Sequence, residues 1–170
     1  MTTPCKIIFL GDDARIELLS DANAEQIMTE VTVVTPSANA EASEISKLAM
    51  DADHGVVVIN ASVDIAPSIR EHVFLARQAD VPSLSIMFTK LSWLEGVNDA
   101  DAFVELAELE VREIFNEYGM NGEDALVFHD ANIRSFPKMY SNGIGLEAAL
   151  SKISSVLKQR PGSGGDHAEV

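Results

Sequence analysis

The sequence predicts an α/β domain, a parallel sheet covered by helices on both faces and so three layers deep. Three observations carry this. Short, β-branched apolar runs alternate with helical stretches along the chain. The runs are near-continuously apolar, as strands buried on both faces are. Strict alternation of strand and helix implies parallel strands joined by right-handed crossovers. At 170 residues, 46% hydrophobic and 23% charged, the chain has room for one domain with a proper core, and we place that domain at residues 1–160.

Strands are expected at 6–10 (KIIFL), 31–34 (VTVV), 55–60 (GVVVIN), 83–88 (SLSIMF) and 126–129 (LVFH). Helices are expected at 14–28, 38–51, 66–79, 98–118 and 144–159. Pro67 suits the first turn of its helix, and Asn98 is placed to cap the next, with Asp101 in the first turn. Between strand one and helix one, "GDDARIELLS" suggests Asp13 as a helix cap, with Ile16 and Leu19 turned into the core. "SNGIGLEAAL" reads as a loop and helix start, since a glycine pair alone is weak evidence of an anion site. The closing "RPGSGGDHAEV" breaks the last helix, and 161–170 read as a disordered tail.

Charge is the strongest bulk signal: 12 Lys and Arg against 27 Asp and Glu, net −15. Such a surface repels phosphate backbones and anionic membranes, so neither nucleic acid nor membrane is an expected partner. No apolar run approaches the roughly 20 residues of a membrane span. The first residues do not resemble a secretory signal, and the expectation is a cytoplasmic protein. The single cysteine, Cys5, has no intramolecular partner and reads as a small core residue at the start of a strand. The four histidines have no metal-ligand spacing. Asp53, His54 and His72 resemble an acid–base set on paper, but ordinary turn and helix positions account for them. Arg70, Glu71 and Arg77 read as i,i+4-type pairing on a solvated helix face.

The stretches "REHVFLARQADVP" and "ELAELEVREIFNEYG", the latter followed by a Gly-Glu-Asp turn, resemble the guanine-nucleotide-binding domain of the elongation factor Tu family. The similarity covers about residues 51–128. It implies a P-loop GTPase-like sandwich and a nucleotide site whose parts can be placed position by position.

The family's phosphate loop has the form GxxxxGK[ST]. Its backbone N–H groups wrap the phosphates, its Lys neutralises them and its hydroxyl binds Mg²⁺. With Gly11 as the first glycine, Ile16 falls at the second, Glu17 at the Lys and Leu18 at the hydroxyl. A carboxylate about 5 Å from a phosphate charge costs roughly 3 kcal/mol per pair at an effective dielectric near 20, and Asp12 and Asp13 add to the repulsion. The DxxG element aligns with Val34-Thr35-Pro36-Ser37, and the His that follows it aligns with Ala38. The NKxD motif reads Thr89-Lys90-Leu91-Ser92, in which Lys90 alone survives. The last base-contacting loop falls near Asp130-Ala131-Asn132. Of the aligned positions Gly11, Glu17, Leu18, Ser37, Thr89, Lys90 and Ser92, only Gly11 and Lys90 keep the family's residue, so every element is degenerate. GTP, GDP and Mg²⁺ are therefore not expected cofactors, and no catalytic or metal-binding residue is expected.

Only nineteen residues separate Gly11 from Val31. That leaves no room for the family's first switch segment or the antiparallel strand after it, so the sheet should hold five parallel strands in order 2-1-3-4-5. Ile7, Phe9, Val56, Val58, Ile86 and Phe88 remain to fill both faces.

On the helix at 98–118, Val104, Ala107, Val111, Ile114, Phe115 and Tyr118 form a sufficient core stripe. Phe103, Leu106 and Glu110 form a second stripe rotated off it. They match, with Phe for Leu, the stripe where the family docks its exchange factor (elongation factor Ts) and the ribosomal stalk protein. Self-association or no partner are the competing readings of this stripe. Trp93, next to Ser92, would either plug the base pocket or cover the sheet edge. The resemblance therefore implies an inactive pseudo-GTPase domain serving as a protein-interaction module. The alternatives are a GTP-binding protein or GTPase with an atypical phosphate loop, aided by Lys90 or a partner's basic residue, or a scaffold without a partner.

Overall fold

Five strands form one parallel sheet in the computed structural model, which describes residues 4–21, 30–131 and 142–159. The strands are β1 (Cys5–Gly11), β2 (Val31–Val34), β3 (His54–Asn60), β4 (Leu84–Thr89) and β5 (Val127–His129). Their order is β2-β1-β3-β4-β5, with every pairing parallel. This is the expected sheet.

Strand residues alternate between the two faces, and two cores result. Ile8, Leu10, Val57, Ile59, Ile86 and Phe88 face helices α2 (Ala42–Ala49), α3 (Ser68–Gln78) and α4 (Ala100–Glu117), which contribute Ile45, Val73, Val111 and Phe115. Ile7, Phe9, Val56, Val58, Met87 and Phe128 face the other way, onto Leu150, Ile153 and Leu157 of α5 (Leu146–Gln159) and Leu18 and Leu19 of α1 (Ala14–Asp21). Cys5 is half-buried against this second core, and burial pushes its thiol pKa up.

Helix starts differ from expectation for local reasons. The second begins at Ala42 rather than residue 38, because the backbone at Asn39 is left-handed (φ 55°) and breaks any earlier turn. Asn98 is not a cap. Asp99 holds that position with φ 60° and no side-chain cap bond, while its carbonyl accepts from Phe103 N–H at 3.1 Å. Asp101 does sit in the first turn, and Pro67 stands at the cap of α3 with helical backbone angles. The expected continuation of the first helix to residue 28 and the tail at 161–170 lie outside the described residues.

The C-terminal ends of the strands and the segments that leave them form the rim where ligands bind in open α/β sheets. The structure there centres on residues 11–17, 34–37, 60–65, 89–92 and 130.

Candidate functional site

The aligned phosphate loop begins at Gly11, whose φ of 97° favours glycine. A Cβ there would lie 2.5 Å from the Val58 carbonyl oxygen, so glycine is needed for close approach of β1 to β3. Several backbone N–H groups of this loop are spent within the protein. Gly11 N–H donates to His72 Nδ1 (2.8 Å), Asp12 N–H to the Val58 carbonyl (2.9 Å) and Ala14 N–H to Asp12 Oδ1 (2.8 Å). Asp12, rather than Asp13, therefore supplies the side-chain acceptor at the start of α1. His72 accepts with a neutral ring. Burial, then the neighbouring Arg15 charge, pushes its pKa down to about 4.

The crevice between the end of β1 and the segment after β2 is filled by Arg15, which is 0% exposed. Its Nε–H donates to Thr35 Oγ1 (2.8 Å). Nη1 donates to the Gly11 carbonyl (3.0 Å) and Asp13 Oδ1 (2.9 Å), and Nη2 to the carbonyls of Pro36 (2.9 Å) and Ser37 (3.0 Å). A guanidinium has five N–H donors, and the five contacts occupy all of them. Thr35 Oγ1 in turn donates to the Phe9 carbonyl at 2.9 Å. Ser37 is held by Glu44, whose carboxylate accepts from the Ser37 N–H (2.7 Å) and hydroxyl (2.8 Å); these bonds lower the Glu44 pKa. The segment aligned with DxxG thus forms the far wall of a cage of carbonyl, hydroxyl and carboxylate oxygens. Such a lining suits a cation, and its occupant is part of the chain.

Inward packing of α1 follows from the same arrangement. Arg15, Leu18 and Leu19 share its inner face at i, i+3 and i+4, whereas Ile16, expected in the core, is exposed. The sequence offers Arg15, Ile16 and Glu17 as side chains that could fill the crevice after Leu10, and of the three only Arg15 is buried there. Its position on the stripe of Leu18 and Leu19 was the available signal.

Glu17 and Lys90, at the aligned phosphate and base ends of the site, are joined by a salt bridge that spans residues 73 apart in sequence. The bond to Glu17 is the main cause of the raised Lys90 pKa. Lys90 has left-handed backbone (φ 64°), and its turn is braced by Asp130. That carboxylate accepts from Thr89 Oγ1 and Lys90 N–H, each at 3.0 Å. Ser92 and Trp93 lie on the short 3-10 turn Leu91–Leu94. Trp93 is 70% exposed, so it neither plugs a base pocket nor covers the sheet edge.

The paper acid–base set is not assembled. Asp53 accepts from Lys6 N–H at 2.8 Å, and His54, inside β3, lies between the hydroxyls of Ser83 (2.7 Å) and Ser85 (2.9 Å). His72 is engaged with Gly11. Arg70 pairs across to Glu117 of α4 rather than along its own helix. No group of three His, Cys, Asp or Glu side chains among the described residues is placed to hold a metal ion. No helix among them is long and apolar enough to cross a membrane.

The outer stripe lies where the helical spacing put it. Phe103 (59% exposed), Leu106 (64%) and Glu110 face solvent, while Val104, Val111, Ile114 and Phe115 are buried. The stripe forms one wall of an open groove of about 350 Å³ whose other wall is residues 60–65, the segment leaving β3. This second wall, with Val63 at its rim, has no counterpart in a reading of α4 alone. No protein-family model matches the chain.

Proposed function

We propose that this protein is a catalytically inactive relative of the elongation factor Tu nucleotide-binding domain, and that it works as a protein-interaction module through α4. The observation that carries the first half is the buried guanidinium of Arg15, bonded to oxygen atoms where the aligned phosphate loop and DxxG segment meet. A triphosphate would require that cation to leave its cage, Gly11 N–H to leave His72, and the Glu17–Lys90 bridge to break. Each step costs hydrogen bonds before a phosphate contact forms. The crevice would then still present Asp12, Asp13 and Glu17 to a polyanion.

The test is calorimetric titration with GTP and GDP in the presence of Mg²⁺, together with thermal melting. We expect no heat and no change in melting temperature; binding in the micromolar range overturns the reading. Support for the second half comes from the exposed pair Phe103 and Leu106 with Glu110 one turn on, the stripe that the resemblance assigns to elongation factor Ts or the ribosomal stalk protein. Purified protein is expected to capture one of these two, and Phe103→Ala/Leu106→Ala to abolish capture. If the native protein captures neither, that assignment is wrong. Cytoplasmic location goes with this role.

A further inference from the structure

We infer that the groove between α4 and residues 60–65 is a receptor for a cationic amphipathic helix supplied by a protein partner. Much of its lining is apolar: Val63, Ile65, Leu94, Val97, Phe103 and Leu106 line it, and Val63, Val97, Phe103 and Leu106 are exposed together. An apolar groove with several exposed side chains in one place marks an interaction surface more than scattered singles do. A groove beside an exposed helix suits the helix-in-groove mode, in which anchors at i, i+3 or i+4 and i+7 enter from one face of the ligand.

Charge decides which helix. No Lys or Arg occurs from Leu91 to Val111, nor from Asn60 to Ile69. The same stretches carry Asp64, Glu95, Asp99, Asp101, Glu105, Glu108 and Glu110, and Asp64 and Glu110 line the groove itself. Farther along α4, Arg112 is turned away from this role. It bonds Glu108 and the carbonyls of Gly122, Glu123 and Ala125. An apolar slot with an acidic border and no cation of its own complements a ligand with a Leu-type stripe flanked by Lys or Arg. The same border repels an anionic lipid headgroup, a nucleic acid and a second copy of this net −15 chain.

The inference rests on the interaction half of the reading above and is independent of nucleotide. The probe is a synthetic helix of about 14 residues with Leu at i, i+3, i+4 and i+7 and Lys elsewhere, titrated into the full chain. Controls are a scrambled peptide of identical composition and a charge-reversed peptide with Glu for Lys. We expect the patterned cationic helix to bind, and to weaken about tenfold or more with Leu106→Asp or Val63→Asp. Binding should also weaken when salt rises from about 0.05 to about 0.3 M. Met50→Asp, which adds the same charge outside the groove, should leave it unchanged. Circular dichroism checks that each variant is folded. Equal binding of the scrambled peptide, or equal weakening by Met50→Asp, overturns the inference, because the acidic surface alone then explains binding. A dimer in sedimentation that Leu106→Asp dissolves also overturns it by giving the groove to a second copy. Patterned binding by a protein that captures neither elongation factor Ts nor the stalk protein upholds it while removing those two partners.

Discussion

Arg15 ties the end of β1, the first turn of α1 and the segment after β2 into one hydrogen-bonded unit. Replacing it with Met keeps much of the volume but leaves three carbonyls and the Thr35 hydroxyl facing an apolar chain. By analogy with breaking other buried charge sites, Arg15→Met should cost about 3–5 kcal/mol, measured as a lower urea midpoint. Arg15→Lys should recover only part, since an ammonium offers three donors without the planar fork. Gly11→Ala tests the neighbouring constraint. Its Cβ would lie 2.5 Å from the Val58 oxygen at φ 97°, and a loss of more than about 2 kcal/mol is expected in the same assay. Neither residue announces its role in the sequence. Gly11 reads as the first glycine of a phosphate loop, and Arg15 as one of three side chains, with Ile16 and Glu17, that could fill the crevice after Leu10. Burial of the Arg15 charge depends on oxygen atoms about twenty positions downstream, which no local pattern encodes.

Among the elements, α4 separates packing from surface most clearly. Ile114 is buried against the α2–α3–α4 core and Leu106 stands in solvent. Ile114→Ala should therefore cost about 2–5 kcal/mol, whereas Leu106→Ala should stay within about 0.5 kcal/mol, both read from urea unfolding. Equal losses would mean that the helix is rotated from the orientation described. This helix and the five strands were legible because continuous apolar runs and 3.6-residue stripes report burial directly, whereas their order followed from the resemblance together with the short spacing between Gly11 and Val31. Boundaries were less so: α2 starts four residues late where Asn39 turns left-handed, and α4 is entered through the left-handed Asp99 rather than capped by Asn98. A backbone reversal by a non-glycine residue leaves little trace in composition. The groove wall at 60–65 was equally hidden, because it exists only where β3 and α4 are brought side by side.

Across the whole molecule, acid stability follows from two buried rings. His72 and His129 have pKa values pushed down to about 4, in both cases chiefly by burial. Unfolding returns them toward 6.5, so between 6.5 and about 4 the unfolded chain binds more protons than the folded one. Stability should be full above about pH 6.5 and decline progressively below it, with urea midpoints at pH 7.5, 6 and 5 as the measurement. His72→Asn, which keeps an acceptor for Gly11 N–H, should flatten the decline. A pH-independent midpoint over this range would contradict the burial of both rings. The Arg15 cage also works as a ratchet. Glu17→Lys would set a second ammonium beside Lys90 and leave the guanidinium seated. Arg15→Gly would empty the cage and leave its oxygen lining and Glu17 behind. Neither step alone both empties the cage and supplies a counter-charge, so this crevice changes the sign of the charge it accepts only through several substitutions made together.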